Sequence, residues 1–172
     1  MFEGGCVLGA DPGVAATGLA AVTRSGGRVR VLWSRTVRTP ADLEEPLRLR
    51  RLFEAVTEAL AEQRPGSVAV ERVMWGTNQT SAMSVSRATG VILLAAAMAG
   101  VAVEEYLPAE VKVAVTGMGG AGKDRVRHAL ANAHRVEGVP AQADAADAVA
   151  VALCHLQQGR LRAAARAAGV AR

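Results

Sequence analysis

Along the chain, apolar residues fall first into short runs separated by turn residues and then into longer stretches with helical spacing. Val7–Asp11 and Gly18–Val22 are apolar runs joined through Asp11-Pro12-Gly13, where proline presets one turn position and glycine permits the next. Arg28–Val37 follows Ser25-Gly26-Gly27 and completes a predicted meander of three strands. From Leu43 to Gln63, the residues Leu49, Leu52, Phe53, Val56 and Leu60 recur at helical spacing with Glu54, Glu58 and Glu62 opposite. That pattern predicts an amphipathic helix, ended by Pro65-Gly66. Val68-Ala69-Val70 reads as a buried strand ending in Glu71. A small-residue helix is expected over Ser81–Met98, stopped by Gly100, and another strand over Ala102–Tyr106. Short helices are expected near Glu110–Val115 and Asp124–His134, and an apolar one from Asp144 to about Leu156. Three strands followed by alternating helices and strands predict an α/β domain, a mixed central sheet packed against helices.

Composition narrows this picture. At 172 residues, 51% of them hydrophobic, the chain supports one folded domain and excludes a disordered one. The expected division is a single domain over 1–158 and a loosely held basic tail over 159–172. Cys6 and Cys154 are the only cysteines, too few for a disulfide scaffold. The longest apolar run, Gly90–Val103, is shorter than the ~20 residues a spanning helix needs, and the opening residues lack the pattern of a secretory leader. A cytoplasmic protein with no membrane partner is expected.

Charge supplies the first functional hint. The formal net charge is +4, and every cation except Lys112 and Lys123 is arginine. Arg24, Arg28, Arg30, Arg35 and Arg38 fall in a stretch without a single acid, as do Arg160, Arg162, Arg166 and Arg172. Such patches suit a phosphate backbone, although a basic tail also serves simply to keep a protein soluble. Aromatic residues make up only 3%, which argues against a stacking platform for single strands and in favour of duplex backbone as the target.

Acidic residues carry the candidate chemistry. Asp11 and Glu71 each follow an apolar strand directly, and strand ends are where α/β sheets bind ligands. Asp144 and Asp147 stand three residues apart at the start of a helix and so share a face. Hard oxygen donors with no His or Cys beside them suit Mg²⁺ or Mn²⁺ better than Zn²⁺. Two such ions ~4 Å apart activate water and steady the leaving oxygen in phosphodiester hydrolysis. Taken singly, each acid has a plainer role: Asp144 caps a helix, Asp147 complements its dipole, Asp11 opens a turn and Glu71 ends a strand in solvent. The set of four in this order favours the site.

Gly117-Met118-Gly119-Gly120-Ala121-Gly122-Lys123-Asp124 comes one residue short of a phosphate-binding NTPase loop and also spells a dinucleotide fingerprint. Asp124 stands where the NTPase loop needs a hydroxyl, and too little chain follows to complete that sheet. The dinucleotide reading lacks its following strand and acid. A glycine-rich turn whose N–H groups and Lys123 hold a phosphate of DNA fits better.

Together, Leu8-Gly9-Ala10-Asp11-Pro12-Gly13 with Thr17-Gly18, Val70-Glu71-Arg72-Val73, the Lys112…Gly117-x-Gly119…Lys123 segment and Gln142-Ala143-Asp144-Ala145-Ala146-Asp147-Ala148 resemble the RuvC family of bacterial crossover junction endodeoxyribonucleases. The likeness spans residues 6–156. It implies a ribonuclease H-like fold with helices on both faces of the sheet. It also implies a homodimer, resolution of Holliday junctions by paired symmetric nicks in recombination and repair, and cooperation with the RuvA and RuvB branch-migration proteins. By motif position, Asp11, Glu71, Asp144 and Asp147 would be the catalytic carboxylates holding two Mg²⁺ per subunit, with Mn²⁺ as a substitute. Lys112, Lys123, Arg72 and Gly119 would lie against four-way junction DNA. Members of the family often carry phenylalanine just after the Glu71 strand, where this chain has Met74-Trp75; either is an apolar wedge for the crossover. The candidate dimer contact is the apolar helix Ser81–Met98. The alternatives are a related ribonuclease H-like nuclease of the YqgF type acting on RNA, a non-catalytic DNA-binding module, and an actin-like ATPase, whose two-lobed fold is more than twice this length.

Overall fold

The computed structural model describes residues 5–72 and 79–167. Three antiparallel strands, β1 (Cys6–Asp11), β2 (Ala16–Ser25) and β3 (Arg28–Arg38), precede helix α1 (Glu45–Gln63). Strand β4 (Ser67–Glu71), helix α2 (Gln79–Met98) and strand β5 (Ala102–Tyr106) follow. Helices α3 (Pro108–Thr116) and α4 (Lys123–His128), a π-helical turn at Ala129–Ala133 and a long α5 (Ala143–Ala167) complete the order. The five strands form one mixed sheet, β3-β2-β1-β4-β5, with β1, β4 and β5 parallel.

Strand alternation divides the core into two layers. Leu8, Ala10, Leu19, Val68 and Val70 face α1 and α2, meeting Leu52, Val56, Leu60, Ala88 and Ile92. Val7, Ala20, Val22, Ala69 and Tyr106 face the other way, against α5 and the α3–α4 segment. Helices on both faces bear out the expected layering.

α5 lies closer to the sheet than ordinary side chains would allow. A Cβ on Gly18 would sit 1.8 Å from the Asp144 carbonyl oxygen, and one on Gly9 would sit 2.1 Å from that of Ala148. Ala145, Ala146, Ala148 and Ala152 are fully buried along the same helix. The contact is therefore nearly backbone on backbone. Further along α5, the imidazole of His155 lies 2.9 Å from both Ser67 Oγ and the Tyr106 hydroxyl, bridging α5 to β4 and β5.

Element limits differ from expectation where local chemistry outweighs hydrophobic pattern. The first helix begins at Glu45 rather than Leu43, because Pro46 suits a first turn while the Leu43 N–H is spent in a turn to Pro40. α3 begins at Pro108, where the Glu110 carboxylate accepts the Leu107 N–H at 2.8 Å. The single helix expected over Asp124–His134 is α4 followed by the π-helical turn. α5 continues past Leu156 to Ala167, so helix occupies much of the segment expected to be a loose tail.

Candidate active site

Register places the first two acids. Ala10 pairs with Val70 in the parallel β1–β4 ladder, so Asp11 and Glu71, each one residue further on, are neighbours at the same end of the sheet. Alternation turns both toward the α5 face. Gly18 is opposite Asp11 on β2, and the absence of a side chain there admits the first turn of α5. That close approach brings Asp147 into a cleft of about 190 Å³ shared with Asp11, Glu71, Lys112 and Lys123. Pro108 and Val111 of α3, Val126 of α4 and Ala150 of α5 form its apolar walls.

Electrostatics mark this as a site short of positive charge. Asp11 is pushed up to about 7, first by burial and then by the charges of Glu71 and Asp147, with Lys123 opposing. Glu71 is raised by burial and by Asp147, against Lys112 and Lys123. Lys123 donates to Asp147 Oδ2 at 2.8 Å, a hydrogen bond that raises the lysine above its ordinary range.

Asp144 lies at the rim. It is not among the residues lining the cleft, and its Oδ2 meets Arg38 Nη2 at 3.5 Å. Among the described residues, no three acidic, His or Cys side chains close on a common point. Asp147 is turned to Lys123 and Asp144 to Arg38 instead. The donor set still fits a hard divalent cation: clustered carboxylates with excess negative charge, and no His or Cys among the cleft residues.

The remaining expected DNA contacts are spread around this centre. Lys112 projects from α3 into the cleft opposite Glu71. Gly119 lies in the loop between α3 and α4, against Val113 and Ala109, and does not line the cleft. Arg72 is exposed just past Glu71, its backbone N–H donating to the Tyr106 carbonyl at 2.7 Å. Met74 and Trp75 lie outside the described residues. Arg38 is the participant that sequence reading missed. It was visible only as one of several arginines, and its place beside Asp144 depends on β3 lying at the sheet edge next to the start of α5.

Comparison of folds sets the class. Thermus thermophilus RuvC in complex with a Holliday junction substrate superposes with a TM-score of 0.83 at 33% identity, covering 92% of this chain and 96% of that one. This is a ribonuclease H-like fold, as the resemblance implied. The family model described as crossover junction endodeoxyribonuclease RuvC matches residues 7–155. Relatives of that name from Syntrophomonas wolfei and Salinispora arenicola are 43% and 44% identical, covering 90% and 91% of this chain and 90% of each relative. The chain belongs to the RuvC family of crossover junction endodeoxyribonucleases.

Proposed function

We propose that this protein resolves four-way DNA junctions by paired, symmetric phosphodiester hydrolysis, using Asp11, Glu71, Asp144 and Asp147 as the carboxylates of a two-Mg²⁺ centre that also accepts Mn²⁺. The observation that carries this is the shared cleft of Asp11, Glu71 and Asp147, faced by Lys112 and Lys123. When bound, the metal ions would supply the activation of water and the stabilisation of the leaving oxygen. The chain's own part is positional. Asp11 and Glu71, on rigid strand ends, fix one side of the centre, and the first turn of α5 supplies the other. Pro108, Val111 and Val126 limit solvent at the cleft wall and so strengthen every charge interaction inside it. Lys112 and Lys123 meet the scissile phosphate, and Arg72 and Gly119 contact the strands beside it; Met74 or Trp75 is the apolar wedge of this reading.

The deciding experiment is Mg²⁺-dependent cleavage of a labelled four-way junction beside linear duplex and structured RNA. Selective, symmetric nicking of the junction is the expected result; cutting of RNA alone would replace this reading with an RNA nuclease. Lys112→Ala and Lys123→Ala should each slow cleavage tenfold or more and flatten the salt dependence of binding by about one phosphate contact. Lys112→Ala should leave thermal melting near the wild-type value, whereas Lys123→Ala, which strips Asp147 of its partner, should lower it in EDTA at neutral pH; circular dichroism would check both.

Paired nicks need two sites at fixed spacing, and a two-fold dimer provides them. α2 supports a homodimer: Ala88, Ile92 and Ala96 are fully buried against the subunit's own core, whereas Met83, Leu94 and Met98 are 50%, 55% and 71% exposed. A second copy of the chain covers that apolar face. Leu94→Glu should shift sedimentation from dimer to monomer and abolish coordinated nicking. RuvA and RuvB as branch-migration partners, and a cytoplasmic location, complete the proposal. No helix among the described residues is long and apolar enough to cross a membrane.

A further inference from the structure

β3 is an edge strand, and its outer side carries a second basic feature. Its lower half is covered where the backbone of Val29 and Val31 pairs with Glu137. Leu32 is the extra residue of a bulge, since Val31 and Trp33 pair with the consecutive Val22 and Ala21. Beyond it, no strand of the described residues covers the edge. A groove of about 410 Å³ follows that uncovered half between β3 and α1, lined by Arg35, Val37, Arg38, Arg51, Glu54 and Glu58.

Its charges are unequally satisfied. Glu58 neutralises Arg35 at 2.8 Å, and Glu54 pairs with Arg50 at 3.5 Å. Among the described residues, Arg51 makes no ion pair and Arg38 makes one only with Asp144, outside the groove. The groove therefore holds two arginines that its own acids do not neutralise, alongside the uncovered edge of β3. Arginine forks and backbone N–H groups are the usual ligands of DNA phosphates. Charged side chains also guard sheet edges against strand addition, a role that asks nothing of Arg51 on a helix.

We propose that the β3–α1 groove is a second phosphate site, taking the backbone of a DNA arm that leads away from the cleft, and that Arg38 is shared between this phosphate and Asp144. An arm phosphate in the groove draws Arg38 off Asp144, and the freed carboxylate turns toward Asp11 and Asp147. Binding of the arm and completion of the metal centre are then linked, and linkage runs both ways. This inference rests on the nuclease reading above, with Asp144 as a metal ligand.

The test uses full-length Arg51→Gln and Arg38→Gln proteins, with DNA binding measured by anisotropy in EDTA across a salt series, on a four-way junction and on linear duplex. Each variant should lose about one phosphate contact from the salt slope, ~0.9 in log–log terms. Mn²⁺ affinity of the DNA-free proteins, read by the paramagnetic resonance signal of free Mn²⁺, should rise several-fold in Arg38→Gln and stay at the wild-type value in Arg51→Gln. Unchanged salt slopes in both variants would overturn the phosphate site. An unchanged Mn²⁺ affinity in Arg38→Gln would overturn the sharing of Arg38. If slopes fall on both DNAs but the wild type shows no preference for the junction, the groove stands and the junction reading falls.

Discussion

Asp11→Asn is expected to abolish cleavage, by three orders of magnitude or more, while making the metal-free protein harder to unfold. Both effects come from the same crowding. Asp11 holds its proton up to about 7 because burial and the charges of Glu71 and Asp147 oppose ionisation. In the unfolded chain it would titrate near the ordinary carboxylate value of about 4. The folded state thus binds the proton more tightly, so stability from this group is present below about pH 4 and is lost as pH rises to about 7. At ~1.4 kcal/mol for each tenfold change in proton affinity, the ceiling of the loss is ~4 kcal/mol. Asparagine removes the charge and with it this pH dependence. Melting curves from pH 4 to pH 8 in EDTA should show the wild type losing stability across that window and Asp11→Asn losing less. Added Mg²⁺ should restore the wild type and leave the variant unmoved. Glu71→Gln, Asp144→Asn and Asp147→Asn should likewise cost orders of magnitude in cleavage with junction binding nearly intact. A variant that cuts at near the wild-type rate would remove its residue from the site.

Gly18→Ala should be almost as damaging, although residue 18 has no chemistry of its own. The new Cβ would lie 1.8 Å from the Asp144 carbonyl oxygen, a backbone atom in the first turn of α5 that no rotamer can move aside. The helix must lift, taking Asp144 and Asp147 with it. Misplacement of reacting groups by about 1 Å costs on the order of 10²-fold in rate, and overpacking costs ~1–3 kcal/mol in stability. Gly66→Ala is the control, since the nearest atom to its new Cβ is 3.9 Å away. Junction cleavage and thermal melting of the two variants would separate the effects. Wild-type kinetics in Gly18→Ala would mean that α5 docking does not set the geometry of the centre.

The sequence was most legible where a single local rule decides. Short apolar runs ended by Asp11 and by Glu71 located two strand ends, and Asp144 with Asp147 marked the first turn of the last predicted helix. The motif likeness added the family and its fold. What stayed hidden depends on relations between distant segments. The role of Gly18 comes from lying opposite Asp11, its hairpin partner, and beneath Asp144, which stands far along the chain from both. Arg38 meets Asp144 only because the third strand turns out to be the sheet edge. β2 runs to Ser25 through Thr23 and Arg24, polar residues beyond the apolar run Gly18–Val22 that pair with Arg30 and Val29. The helix over Ala143–Ala167 outlasts its apolar stripe because alanine and arginine are strong helix formers in their own right.

The nearly bare contact between α5 and the first hairpin also orders events during synthesis. The arginines of β2 and β3 and the carboxylates of β1 and β4 leave the ribosome well before Asp144 and Asp147. A nascent chain can be drawn to nucleic acid while it still lacks Asp144 and Asp147, two of the four acids proposed to hold the metal ions. Only when α5 settles onto Gly18 and Gly9 do the early and late halves meet. On the proposed mechanism, docking of α5 completes the centre, and a chain that stops short of α5 would bind DNA without cutting it.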